Sequence, residues 1–239
     1  MRKLKSVSVF FPAYNEEENI AKTVKDAFQV LKKIADRFEL IVVDDGSTDH
    51  TATIVKQLQK KIPQLKLIRH KKNRGYGGAV KTGLSRASYP WIVYTDSDGQ
   101  FDFAEIKNFL PLASSADLIL GYRIKRTDSL YRRFLQKILW LADLILFGLN
   151  VKDVDCGFKM IKKEVVKTIW PLTTESAITE TELVVRAKRA GFKIAQVGVH
   201  HHARLEGEQT GGKLKIIAKA AWEGIKLWWQ LIVERFKPR

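Results

Sequence analysis

The sequence predicts an α/β domain built on a mainly parallel central sheet and followed by an amphipathic C-terminal helix. Three observations lead there. Short apolar runs alternate with longer stretches of helical periodicity through the first hundred residues, the order that lays down parallel strands with helices on both faces. Polar motifs rich in aspartate and glycine follow three of those apolar runs, at the strand ends where ligands collect in such sheets. The chain has 239 residues, 45% of them hydrophobic and 28% charged, which suffices for one domain with a full core plus an appendage.

Val7 to Phe11 reads as a buried strand that stops at Pro12, because proline cannot donate to a ladder. Glu17 to Ala35 follows as a helix with Ile20, Val24, Ala27, Phe28 and Leu31 at helical spacing. Glu39 to Val43 is a second strand and ends in Asp44-Asp45-Gly46-Ser47-Thr48-Asp49. Ser47 or Thr48 is placed to cap the next helix, which reaches about Lys61 and ends before Pro63. Leu65 to Ile68 is a third strand, after which Asn73-Arg74-Gly75-Tyr76-Gly77-Gly78 opens a helix from Ala79 to Ala87. A fourth strand, Trp91 to Thr95, runs straight into Asp96-Ser97-Asp98. Beyond it the pattern loosens. Ala116 to Leu120 reads as a strand, Arg123 to Arg133 as a basic connection, and Phe134 to Leu149 as a very apolar helix. Ile178 to Ala190 is a helix, and Ile194 to Val199 is a strand ending at His200-His201-His202.

A net charge of +16 implies a polyanionic partner: nucleic acid, an anionic membrane or phosphorylated substrates. No zinc-finger spacing and no Arg/Gly-rich tail is present, so nucleic acid is not expected. The single cysteine, Cys156, rules out an intramolecular disulfide, suits a reducing cytosol and reads as a small buried filler. Met1 to Lys5 leads into a strand rather than a signal peptide, and no run reaches the ~18–20 apolar residues of a membrane span. The expectation is a cytoplasmic protein, peripheral on the cytoplasmic face of a membrane.

Two aspartates one residue apart repel each other unless a cation or a proton sits between them. By itself Asp96-x-Asp98 is a weak motif that more often marks a turn or a helix cap. Its convergence with Asp44-Asp45 and the glycine-rich run on one sheet edge favours a divalent cation, Mg2+ or Mn2+, bound to hard oxygens. Gln100 and Asp102 offer further oxygens, or cap the following helix. Asp44 and Asp45 suit ribose or base contacts. Gly75 and Gly77 let backbone approach a ligand at a helix start, or simply make a tight turn. The three histidines cannot all reach one ion from a strand end, because neighbouring side chains alternate between faces, and the sequence shows no acidic partner nearby.

Pro12-Ala13-Tyr14-Asn15-Glu16, Val42 to Asp49 and Asp96-Ser97-Asp98-Gly99-Gln100, in this order, resemble glycosyltransferase family 2. Within it the sequence is most similar to the branch of dolichyl-phosphate mannose synthases and related polyprenyl-phosphate glycosyltransferases. Further matches are Gly121-Tyr122-Arg123, Asp155 to Lys159, Glu182 and the segment from His202 to Thr210, so the likeness covers about residues 5 to 212. It implies a GT-A, Rossmann-like single domain over residues 1–212 and inverting transfer. Pro12, Tyr14, Glu16 and Asp45 would hold the nucleoside. Asp96, Asp98 and Gln100 would sit at the metal. Arg123, Arg133 and Arg204 would contact donor or acceptor phosphates, and Glu182 would position a sugar hydroxyl or structure the site. Two departures stand out: Lys159 occupies a position the family usually gives to arginine, and Gly207-Glu208-Gln209-Thr210 replaces a Gly-x-Ser.

The resemblance implies a nucleotide-sugar donor (GDP-mannose or UDP-glucose) and a polyprenyl phosphate acceptor, dolichyl or undecaprenyl. A lipid phosphate monoester is largely dianionic at neutral pH, its second pKa being ~6, so it needs positioning and charge screening rather than a strong base. Residues 213–239 read as a basic amphipathic helix. Leu214, Ile217, Ala221, Ile225, Trp228, Ile232 and Phe236 form its apolar face, with Trp222 and Trp229 at the border. Such a helix suits a membrane surface, or packs on the domain or on a membrane-protein subunit. The alternatives are a non-lipid acceptor, a nucleotidyltransferase that makes nucleotide-sugars, and a non-catalytic binding module.

Overall fold

A computed structural model describes residues 3–124, 140–141, 143–203 and 214–236. Seven strands form one sheet in the order β3-β2-β1-β4-β6-β5-β7. They are β1 (Leu4–Ala13), β2 (Ala35–Asp44), β3 (Leu65–Arg69), β4 (Trp91–Tyr94), β5 (Leu118–Arg123), β6 (Lys159–Lys162) and β7 (Ile194–Val199). The helices are α1 (Ile20–Ile34), α2 (Thr51–Gln59), α3 (Tyr76–Arg86), α4 (Lys163–Ile169), α5 (Ile178–Arg189) and α6 (Leu214–Phe236). The expected mainly parallel sheet is present, with one exception: β6 runs antiparallel to both β4 and β5. Neither β6 nor α4 is legible in the sequence, because four residues joined directly to a seven-residue helix carry too few positions to show a period.

The central strand β1 is buried without interruption from Ser6 to Ala13, as expected of a strand covered on both faces. Successive side chains feed opposite cores. Val7, Val9 and Phe11 meet Ile20, Val24 and Leu31 of α1 together with Phe103, Phe109 and Phe158. Phe10 faces the other way, toward Val80 and Leu84 of α3, Leu183 of α5 and Leu227 and Leu231 of α6. Cys156 is a fully buried filler whose thiol is pushed up to about 12, first by burial.

Pro12 does not end β1, which continues to Ala13. The backbone of Phe10 faces β4, since its carbonyl accepts from Thr95 N, and by strand alternation Pro12 faces the same side, beyond the end of the β4 ladder. Its missing N–H therefore has no partner to lose, and its carbonyl accepts from Ser97 Oγ. At α2, Ser47 and Thr48 are not the cap; Asp49 Oδ1 accepts from Thr51 N instead. α3 starts at Tyr76 rather than Ala79, placing Gly77 and Gly78 inside its first turn.

Candidate active site

The order 3-2-1-4 makes the boundary between β1 and β4 the switch point of the sheet, where the chain departs in opposite directions and leaves a crevice. Asp96 and Asp98 follow β4 at this crevice. The backbone of Gly157 lies so close over Asp96 that any Cβ there would collide with the carboxyl group. Tyr76 Oη donates to Asp96 Oδ1 at 3.1 Å. Burial, then the charges of Asp98 and Glu180, raise the Asp96 carboxyl from 3.8 to about 7. A carboxylate pair held in this way meets an unbalanced negative potential that a divalent cation would satisfy.

Gln100 is held at the same place. Its side-chain Nε2 donates to His202 O at 2.9 Å, its backbone carbonyl accepts from His202 N, and its backbone N–H donates to Asp98 Oδ1. With the amide nitrogen engaged, Oε1 is the atom left to act as a hard ligand. Two carboxylates and an amide oxygen therefore fit Mg2+ or Mn2+ by donor chemistry. Among the described residues no cluster of three His, Cys, Asp or Glu is close enough to hold a metal, so the candidate set includes the amide. Asp102 caps the 3₁₀ turn that follows, accepting from Ala104 N.

The loops after β1 and β2 are stitched together beside this crevice. Asn15, in the left-handed region at φ 54°, donates its N–H to Ser47 Oγ and accepts from Thr48 N at Oδ1. Glu16 N donates to Thr51 Oγ1, and Glu17 N to Asp49 Oδ2. Pro12 and Glu16 are buried and Tyr14 is exposed. Asp44 is fully buried: Oδ1 accepts from Ser47 N and Oδ2 lies 2.9 Å from Arg69 Nε. That differs from the ribose or base contact expected of it, because its carboxylate is turned inward to hold the loop. Asp45 accepts from Arg74 N and Gly75 N and so grips the turn that opens α3. Gly75 adopts φ 87°, and a side chain at Gly77 would collide with Ser176 and Thr179 of the neighbouring segment. Tight packing against protein is thus sufficient reason for Gly77, without a ligand.

Two expected site residues are committed elsewhere. Arg123 forms a paired ion bridge to Asp153, Nε to Oδ2 at 2.7 Å and Nη2 to Oδ1 at 2.8 Å, rather than presenting its fork to a phosphate. Glu182 is fully buried and accepts from the backbone N–H groups and hydroxyls of Thr173 and Thr174 and from Arg186 Nε. Burial alone would raise its pKa, but these donors hold it below the ordinary value. It therefore ties the 173–174 segment to α5. Arg133 and Arg204 lie outside the described residues.

Sequence reasoning missed a buried group on the other side of the same helix. Glu180, two residues before Glu182, takes Tyr94 Oη at 2.5 Å and Lys159 Nζ at 2.6 Å on Oε2. Lys159 is fully buried, donates also to Cys156 O, and serves as the counter-ion of Glu180 rather than as a phosphate contact. Asp143 and Asp155 stand nearby with raised pKa values, Asp143 to about 7, each chiefly through burial. The only available signal was the Thr-Glu-Thr-Glu run itself, which does not say which glutamate faces the sheet. The three histidines do part company, as expected. His200 Nδ1 meets Glu105 at 2.6 Å, an acidic partner 95 residues away, while His201 lies edge-on to Phe101.

Comparison with known proteins agrees with this architecture. The family model described as Glycosyl transferase family 2 matches residues 8–170. A dolichyl-phosphate beta-glucosyltransferase of Dictyostelium discoideum is 31% identical over 217 residues, 81% of this chain. This chain spans 65% of that relative's length. An undecaprenyl-phosphate 4-deoxy-4-formamido-L-arabinose transferase of Photorhabdus laumondii is 28% identical over 90% of this chain and 66% of its own. Glucosyl-3-phosphoglycerate synthase from Mycobacterium tuberculosis, solved with Mg2+ and uridine-diphosphate, superposes with a TM-score of 0.70. It covers 93% of this chain and 78% of its own at 20% identity, a likeness of fold.

Proposed function

The chain belongs to glycosyltransferase family 2, and from that premise we propose that it moves a hexose, with inversion, from a nucleotide-sugar to a polyprenyl phosphate at a membrane surface. The observation that carries the reading is the Asp96/Asp98 pair, crowded and half-buried at the switch point between β1 and β4. Family membership sets aside the nucleotidyltransferase alternative. The acceptor class rests on relatives named for different sugars but for the same kind of lipid phosphate. Glucose is preferred over mannose because glucosyltransferases stand among those relatives.

In this reading Asp96, Asp98 and Gln100 hold Mg2+ or Mn2+, which would neutralise charge on the nucleoside-diphosphate leaving group. Pro12, Tyr14, Glu16 and Asp45 border the nucleoside. The acceptor dianion attacks the anomeric carbon as the bond to the diphosphate breaks, so no residue has to remove a proton. Arg133 and Arg204 are proposed to screen the approach of the two phosphates. With Glu182 and Arg123 occupied, neither is assigned a direct part.

The membrane side is α6. Its Leu227 and Leu231 are buried against the domain, while Trp222, Trp229, Ile225 and Val233 are exposed. Glu223 turns inward, its carboxylate accepting from Glu175 N and Ser176 N. The exposed face is therefore centred on the two tryptophans, with Lys219 and Lys226 beside it, rather than on the stripe read from sequence. Trp140, Leu141 and Ile145 add a second exposed apolar set. Among the described residues no helix is long and apolar enough to cross a membrane, and a membrane-protein subunit is the other occupant to test for.

The deciding experiment offers radiolabelled UDP-glucose or GDP-mannose, with Mn2+ and a polyprenyl phosphate, to the enzyme and to Asp98→Ala. Label should enter the lipid extract only with the native enzyme. If no donor labels lipid while metal is present, the lipid-acceptor reading fails.

A further inference from the structure

His70 follows β3 directly, and its ring is nearly buried between two elements that border the crevice. Nδ1 lies 2.6 Å from Asp45 Oδ1, and Nε2 lies 2.9 Å from Thr82 Oγ1 on α3. Thr82 has one hydroxyl proton and gives it to Gly78 O at 3.0 Å, a carbonyl that can only accept. With that proton given to Gly78 O, Thr82 Oγ1 is left as an acceptor for His70 Nε2–H. On the other side Asp45 already accepts Arg74 N on Oδ1 and Gly75 N on Oδ2, and His70 Nδ1 is the third partner of its carboxyl group. The turn so gripped continues into Tyr76, whose hydroxyl donates to Asp96. An unbroken series of bonds thus runs from α3 through His70, Asp45 and the 74–75 turn to the metal carboxylate.

We propose that His70 is a positioning residue for the donor site: it fixes the rotation of the Asp45 carboxylate and, through Asp45, the Arg74–Tyr76 turn that borders the nucleotide. Without that bond the carboxylate is held only by two backbone amides of a turn whose Gly75 sits at φ 87°, and it can rotate with the turn. The ring is a two-ended strut. Its outer nitrogen is anchored on α3, so the inner nitrogen meets Asp45 at a set place. This inference rests on the reading of the crevice as a nucleotide-sugar site.

The two ring nitrogens can be tested separately, because asparagine places an amide N–H near Nδ1 and glutamine places one near Nε2. His70→Asn keeps the bond to Asp45; His70→Gln keeps only the bond to Thr82. Calorimetric binding of UDP and of GDP, each with Mn2+, is the primary readout, with donor KM and kcat from the transfer assay as the second. His70→Gln should weaken nucleotide binding and raise donor KM roughly tenfold, the loss of one charge-assisted hydrogen bond, while kcat stays within about twofold. His70→Asn should stay within about threefold of the native protein. Equal affinities in the two variants, or native affinity in His70→Gln, would overturn the proposal. A native protein that binds neither nucleotide overturns the donor-site reading itself, a different outcome. Should His70→Gln not fold, Thr82→Val removes the outer anchor alone and should raise donor KM by a smaller factor; no change there counts against the strut.

Discussion

At the scale of single residues the site is defined by what each carboxylate has for company. Asp96 is desolvated by burial beneath Gly157 and then crowded by Asp98 and Glu180, so its folded-state pKa of about 7 lies well above its ordinary 3.8. In the metal-free protein the folded chain then holds a proton that the unfolded chain has released. Stability is full below the unfolded value, falls as pH rises toward about 7 and levels off above it. Asp143, also raised to about 7, acts with the same sign. Melting temperature measured in EDTA should fall between pH 5 and pH 7.5, and Asp96→Asn should flatten that slope. Unchanged slopes in the variant would refute the crowding account. Glu182 is the opposite case. Its charge is satisfied by five donor groups, so Glu182→Gln should destabilise the fold by about 2–4 kcal/mol while leaving kcat within a few-fold. A kcat loss of a hundredfold in a variant that melts like the native enzyme would restore it to the chemistry. The place of Asp96 and Asp98 at the crevice was legible in sequence because two other polar motifs, Asp44-Asp45 and Gly75 to Gly78, fall on the same sheet edge. Glu180 was not, because the choice between two glutamates on one helix depends on which side of α5 meets the sheet.

At the scale of elements, α6 shows how amphipathicity can be read correctly in kind and wrongly in direction. Helical spacing groups Trp228 and Ile232 with Ile225 on one apolar face, yet the residues driven into the domain are Leu227 and Leu231. Two leucines suffice because Glu223 and Glu234 on the same side find partners in the 175–176 backbone and in Arg186. A wheel drawn from hydrophobicity counts Glu223 as solvent-facing. The consequence is testable. Trp222 and Trp229 are 67% and 63% exposed, so replacing both with glutamate should leave the melting temperature within about 2 °C. The same change should lower binding to anionic vesicles at least tenfold, through lost interfacial aromatic area and added negative charge. Sedimentation with lipid vesicles reads this directly, and native-like sedimentation of the double variant would remove α6 from the membrane reading.

At the scale of the whole molecule, the net charge of +16 and the position of the crevice belong together. A protein whose proposed donor and acceptor both carry phosphate gains from a positive field, which raises the local concentration of both and weakens with salt. What the sequence by itself determined is considerable. Strand-length apolar runs separated by helical periods set the alternation, and the alternation sets a parallel sheet with its polar motifs on one edge. The likeness of those motifs to a family then pointed to the chemistry. What only the tertiary structure decided is which atoms are left over. Arg123 reads as a phosphate ligand until Asp153, 30 residues away, claims its guanidinium; Lys159 reads as a weak substitute for arginine until it is found buried against Glu180. The physical reason is the same in each case. A residue's type and local period are properties of the chain nearby, but whether its charge is spent is settled by a partner that only folding brings within about 3 Å.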